Sequence, residues 1–180
     1  VAASAWTANV ARTTGVADVR SMAISGSWLY IGGSFSKVSG GYGTNAVGPI
    51  SVGRVARLRL SDGRPDWTWL PTVDTSPWDL AVSADATRVY IVGSFGVLNG
   101  VALTAKHLGV VNTTNGATVT GLKAWKPSLA TATDPSQAIM EYGDHVYVAG
   151  SQHSLQSYTR SDFTLERART AQDGSGDFQA

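Results

Sequence analysis

The residues of this chain that could do acid–base or metal chemistry are three histidines and thirteen carboxylates, and there is no cysteine to supply a thiolate. A serine nucleophile needs a strained elbow with His and acid partners. No Gly-x-Ser-x-Gly occurs, and the nearest string, Gly174-Ser175-Gly176, is flanked by Asp173 and Asp177 and reads as a turn. His107, His145 and His153 fall at unrelated positions and make no zinc spacing. Glycoside hydrolysis needs two carboxylates across one bond, but Asp62, Asp85 and Asp144 occupy evident turns and no pair stands out. The sequence therefore offers no catalytic and no cofactor-binding residue. Asp173, Ser175 and Asp177 do place three oxygens at alternate positions, as the first part of a calcium loop does. The closing Glu is missing and a Gly-rich hairpin explains the string as well, so calcium stays an open alternative.

Aromatic residues are the more informative chemistry, because exposed indoles serve carbohydrate surfaces and there are six Trp in 180 residues. Trp6, Trp67 and Trp125 recur at near-constant spacing, which is expected of packing between repeats. Trp28, Trp69 and Trp78 stand outside that spacing and are the candidates for ligand contact. A stretch from Gly41 to Gly53 has no counterpart in the following repeat. Repeat-specific insertions map to loops on one face, often the binding face, so Tyr42 and Asn45 join the candidates. A plain surface excursion is the competing reading of that stretch.

These residues are positioned by a repeat. Ser21-Met-Ala-Ile-Ser-Gly-Ser-Trp-Leu-Tyr-Ile-Gly-Gly-Ser-Phe35 is echoed by Asp79 to Phe95 and again by Gln137 to Ser151, with Tyr30, Tyr90 and Tyr147 in register. A second half follows in each unit, Arg54 to Leu60 with the turn Ser61-Asp-Gly63, then His107 to Val111 with Asn115-Gly116. The runs are short, β-branched or aromatic, and bounded by Gly, Asn, Asp or Ser, which is the pattern of strands and tight turns. In the first unit four strands are expected, over about 21–25, 28–35, 54–60 and 66–70. No window carries a capped helical stripe. Gly32-Gly33, Gly93 and Gly150 close the second strand, where backbone must approach backbone.

Four antiparallel strands repeated at this period are the content of a β-propeller blade, whose faces are buried by its neighbours. The expected fold is all-β: about three four-stranded blades of a larger propeller. Residues 1–20 would be the end of a preceding blade, 21–78 and 79–136 two blades, and 137–180 a third with the start of the next. Since propellers typically close with about four to eight blades, further blades of the same chain are expected.

Composition narrows the partners. Charged residues are 15% of the chain and the formal net charge is +1, so no basic stripe exists for a nucleic acid. The apolar runs are far shorter than a membrane helix requires, so no membrane insertion is expected. Asn112-Thr-Thr114 matches a glycosylation sequon but is short enough to arise by chance.

Leu29-Tyr-Ile-Gly-Gly-Ser-Phe-Ser-Lys-Val-Ser-Gly40 and Val89-Tyr-Ile-Val-Gly-Ser-Phe-Gly-Val-Leu-Asn-Gly100 resemble the pattern of the delta-sixty-repeat β-propellers of large secreted bacterial proteins, many from high-GC Gram-positive species. The resemblance covers two units well and the third in part, because Gln152 to Ser157 lacks the Phe and the Asn-Gly. It implies a secreted or cell-surface location and no established catalytic residues. The expected function is a non-catalytic extracellular module for protein or glycan recognition, or for scaffolding, at the bacterial surface. Two alternatives remain: the propeller portion of a secreted hydrolase or lyase whose catalytic residues lie elsewhere, and a subunit of a surface filament or layer.

Overall fold

A computed structural model describes residues 6–103, 107–123, 135–150 and 154–170. Among these residues the chain is all-β, and its one helical element is a 3-10 turn at Gly43–Asn45. In chain order the strands are β1 (Ala8–Ala11), β2 (Asp18–Ser25), β3 (Trp28–Ser34), β4 (Lys37–Gly40), β5 (Val47–Ser51), β6 (Val55–Arg59), β7 (Pro77–Val82), β8 (Arg88–Gly93), β9 (Val97–Leu98), β10 (Val101–Ala102), β11 (Leu108–Asn112), β12 (Ser136–Tyr142), β13 (His145–Gly150), β14 (Ser154–Thr159) and β15 (Leu165–Thr170). Three antiparallel sheets repeat along the chain, in the orders β2-β3-β6, β7-β8-β11 and β12-β13-β14-β15.

Equivalence between the sheets is fixed by register. Ala23, Ala81 and Met140 pair with Tyr30, Tyr90 and Tyr147 respectively. All three first strands carry an irregularity at one place: the pairing shifts across Arg20, Trp78 and Gln137. Opposite that bulge stand Gly33, Gly93 and Gly150. A Cβ on Gly93 would come within 2.9 Å of Pro77 Cα, and one on Gly150 within 2.6 Å of the Gln137 nitrogen. These glycines let a bulged strand lie close to its neighbour, the structural role expected from sequence. The turns closing the outer hairpins match too, since the amides of Arg59, Asn112 and Thr159 each donate to the carbonyl five residues on, at 2.9 Å in every case.

Among the described residues the expected four strands per unit hold only in the third sheet. In the first, residues 66–70 are not a strand: after the bridge Leu58↔Pro65, Asp66 Oδ1 accepts the Thr68 amide at 2.8 Å and its hydroxyl at 2.7 Å. That Asx turn offers the backbone a local partner in place of the ladder, so the strand stops. In the second sheet the fourth strand is reduced to the bridge Val111↔Thr118.

The segment from Gly41 to Gly53 is not a bare loop. It supplies β5, which pairs with β4 and, through it, with β1 in a separate sheet ordered β1-β4-β5. The second unit keeps the two-stranded vestige β9-β10, and its bridge Val73↔Leu98 repeats the pairing of Val10 with Val38.

Side chains between sheets form the core. Tyr30 and Val55 of the first sheet meet Leu80, Val89 and Ile91 of the second, while Tyr90, Val92 and Val110 of the second meet Ile139, Val146 and Val148 of the third. Contacts between sheets run mainly through the first strands β2, β7 and β12. There Ser21 Oγ donates to Asp79 Oδ1 at 2.6 Å and accepts the Leu80 amide at 3.0 Å, and Asp79 Oδ2 accepts the Ile139 amide at 2.9 Å. A side-chain oxygen at one repeat position thus receives the next sheet's backbone, twice over.

Candidate functional site

The Asx turn that ends the first unit also sorts its two indoles. Trp69 is turned inward: it is 0% exposed, edge-on to Tyr30 at 5.2 Å between ring centroids, and its Nε1 donates to the Asn112 carbonyl at 2.9 Å. Trp67, two residues earlier, is turned outward and is 69% exposed. Trp69 is therefore a core residue and not a ligand contact, which corrects the sequence-based expectation.

The spacing argument behind that expectation is corrected as well. Trp6 Nε1 donates to the Arg59 carbonyl at 3.2 Å, and Arg59 and Asn112 hold the same register position, opposite Trp28 and Arg88. The structural counterpart of Trp6 is Trp69, and Trp67 is the odd one out. Trp125 lies outside the described residues.

Trp28 opens β3 and is half-buried. The Arg57 guanidinium lies 4.4 Å from its ring centroid and 5.6 Å from that of Trp69. Arg57 is fixed from the other side by Asp66, with Nε and Nη2 at 2.8 and 2.6 Å from Oδ2, both side chains being largely buried. Burial pushes the Asp66 carboxyl up, but hydrogen bonds from Thr68 and Arg57 outweigh it and hold the group below its usual range. Arg57 also donates to the carbonyls of Thr113 and Thr114 in the second sheet.

Trp28 and Asp66 of this anchored layer also line a cleft of about 170 Å³, together with Val47, Arg59, Arg64, Pro65 and Trp67. Val47 comes from β5, so the segment peculiar to the first unit forms one wall. Arg59 stands 5.8 Å from the Trp28 centroid. The exposed Trp67 indole can stack against the apolar face of a sugar ring, and the guanidinium groups of Arg59 and Arg64 can donate to its hydroxyl or acidic groups.

Tyr42 and Asn45 sit at the exposed tip of the β4–β5 connection, Tyr42 as the residue entering the 3-10 turn, and neither lines this cleft. Trp78 is half-buried at the bulge of β7 and is likewise separate. Of the five candidates only Trp28 belongs to the cleft. Sequence reasoning missed Trp67, Arg59 and Arg64; the available signal was Asp66-Trp-Thr-Trp69, where an aspartate two residues before a threonine favours a turn that splits the tryptophans. Asp173, Ser175 and Asp177 lie outside the described residues, and among the described ones no group of three or more His, Asp or Glu is placed to hold a metal.

A larger cleft of about 350 Å³ separates the second and third sheets, lined by Asp85, Arg88, Tyr90, His145, Arg160 and Glu166 among others. Asp85, Arg88, Tyr90 and Arg160 join the two sheets, while His145 and Glu166 pair within the third. Tyr90 donates its hydroxyl proton to Glu141, whose Oε1 accepts the Ala84 amide at 2.8 Å. Arg160 Nη1 reaches Asp85 Oδ2 at 2.8 Å, and His145 Nδ1 lies 2.7 Å from Glu166 Oε2. Burial, and then the Glu141 carboxylate, push the Tyr90 hydroxyl far up, so it holds its proton. Arg88 donates to the Arg160 carbonyl at 2.7 Å, making with the third sheet the contact that Arg57 makes with the second. The cleft is a joint.

No family model matches the chain, and no curated protein matches it.

Proposed function

We propose that the chain is a run of blades from an extracellular bacterial β-propeller of the delta-sixty-repeat kind, and that it recognises carbohydrate without transforming it. Support for the blades comes from the common register, the shared bulge and the closest approach through β2, β7 and β12, as first strands around an axis require. The observation that carries the recognition reading is Trp67, an exposed indole that lines one cleft with half-buried Trp28, Arg59 and Arg64. An exposed indole on a rigid frame is costly to solvate and useful to stack.

Binding to an array of bacterial wall and secreted polysaccharides tests the proposal, with Trp67→Ala beside the wild type. Retained glycans that release at least about tenfold more readily from Trp67→Ala, roughly 1.4 kcal/mol, are the expected result. A chain that retains no glycan, or retains it equally after the substitution, overturns the carbohydrate reading.

A further inference from the structure

The arginines whose side chains the structure describes fall into two groups. Arg20, Arg57 and Arg160 pair with Asp18, Asp66 and Asp85 at 3.1, 2.6 and 2.8 Å. Arg12, Arg54 and Arg88 donate to the Ser34 hydroxyl and to the carbonyls of Val73 and Arg160 at 2.6, 2.8 and 2.7 Å. Arg59 and Arg64 donate from their guanidinium groups to no acceptor among the described residues. Exposure does not explain the division, because the Arg20 side chain is 41% exposed and still paired. The two arginines without an acceptor line one cleft, beside Trp67.

The carboxylate that shares this cleft is already occupied. Asp66 Oδ2 accepts Nε and Nη2 of Arg57, and Oδ1 accepts the amide and the hydroxyl of Thr68. A carboxylate offers about four lone-pair positions, so none is left for Arg59 or Arg64, and Arg57 already balances its charge. Trp28, Val47 and Pro65 bring no charge to the lining. The cleft therefore holds positive charge without a counter-charge, next to an indole that is 69% exposed. Both arginines are placed by backbone: Arg59 by the ladder, directly opposite Trp28, and Arg64 by the turn in which its amide meets Asp62 Oδ1 at 3.0 Å. Groups placed in advance cost less to order when a ligand arrives.

We propose that the glycan taken by this cleft is acidic: the sugar stacked on Trp67 carries a carboxylate or phosphate group that pairs with Arg59 and Arg64. The inference rests on the carbohydrate reading and names the class of sugar within it. A guanidinium presents a planar fork matched to carboxylate and phosphate oxygens, and such charge-assisted bonds are roughly twice as strong as neutral ones. A neutral hydroxyl only replaces water at the guanidinium, with little net gain. A neutral glycan thus gains the stack alone, whereas an acidic one gains the stack and the ion pair. Arg59 is exposed and Arg64 half-buried, so the ionic part weakens as salt screens it.

The same array of wall and secreted polysaccharides tests this inference apart from the one it rests on. The retained glycans should be those bearing uronic acid or phosphate. Reducing the carboxyls of a retained uronic-acid glycan to alcohols, or removing the phosphates of a retained sugar phosphate, should weaken wild-type binding at least about tenfold. Whichever treatment acts names the anion. Arg59→Gln combined with Arg64→Gln should show the same loss toward the untreated glycan and bind the neutralised one within about twofold of wild type. Raising sodium chloride from about 0.05 M to about 0.5 M should weaken the wild type toward the acidic glycan and leave the double variant almost unchanged. Equal retention of neutral and acidic glycans, released by Trp67→Ala, overturns the acidic class and leaves the carbohydrate reading standing. An unaltered affinity in the double variant does the same. A chain that retains no glycan, or holds it regardless of Trp67, overturns both.

Discussion

Asp66 decides more than its size suggests. Its Oδ2 holds Arg57 between two indoles while its Oδ1 makes the turn that sends Trp67 out and Trp69 in. Because its folded-state pKa is lowered below 3.8, its contribution is fully present above that value and is lost as pH falls through the lowered one. Asp66→Asn should therefore cost about 3 kcal/mol near neutral pH by breaking a largely buried pair, and the gap to wild type should shrink on acidification through the carboxylate range. Urea midpoints at several pH values check this. Trp69→Ala should cost about 3–5 kcal/mol through the cavity it leaves, whereas Trp67→Ala should stay within about 0.5 kcal/mol. The same denaturation series reads both. At this scale the sequence was a poor guide: Trp6, Trp67 and Trp125 are evenly spaced, but even spacing ignores a side-chain oxygen that captures an amide and ends the strand, leaving Trp69 rather than Trp67 as the counterpart of Trp6. Arg59 and Arg64 were hidden for another reason, since nothing local tells a solvated guanidinium from one brought beside an indole by pairing across a sheet.

Elements were more legible. Because a strand buried on both faces needs an apolar run and a tight turn needs Gly, Asn or Asp, alternation, turn residues and the recurring tyrosine placed the strands of the first two sheets and the first hairpin of the third, but not β14 and β15. What the local pattern could not supply was the fourth strand's failure in the first two units among the described residues, and the sheet that β5 builds with β4 and β1, which depends on β1 pairing with β4 about thirty residues on. The shared bulge is an element-level device and should be intolerant. Gly93→Ala brings a Cβ against Pro77 Cα and the Ser76 carbonyl and should cost about 2 kcal/mol or more, while Gly48→Ala, with nothing within 4 Å, should be close to neutral. Thermal unfolding of the two variants distinguishes a strained bulge from a general dislike of alanine. Asp79→Ala removes the acceptor of the Ile139 amide and should cost about 1–3 kcal/mol, with faster amide exchange at Ile139.

For the whole molecule, stability is a matter of neighbours. Each sheet buries its faces against the next, so cohesion is shared between sheets and joints rather than drawn from one centre. The joints are conserved in function while their parts move. Arg57 reaches the second sheet's turn from the third strand of its own sheet, opposite Tyr30, whereas Arg88 reaches the third sheet's turn from a second strand, where the first unit has Trp28. Val110 fills the position that Arg57 vacates. A synthetic repeat averaged column by column from these two units would consequently inherit either a pair of guanidinium groups competing for one set of carbonyls or none at all. Grafting whole interfaces, each bringing its own arginine and its own cradle, is the unit of exchange that such engineering demands.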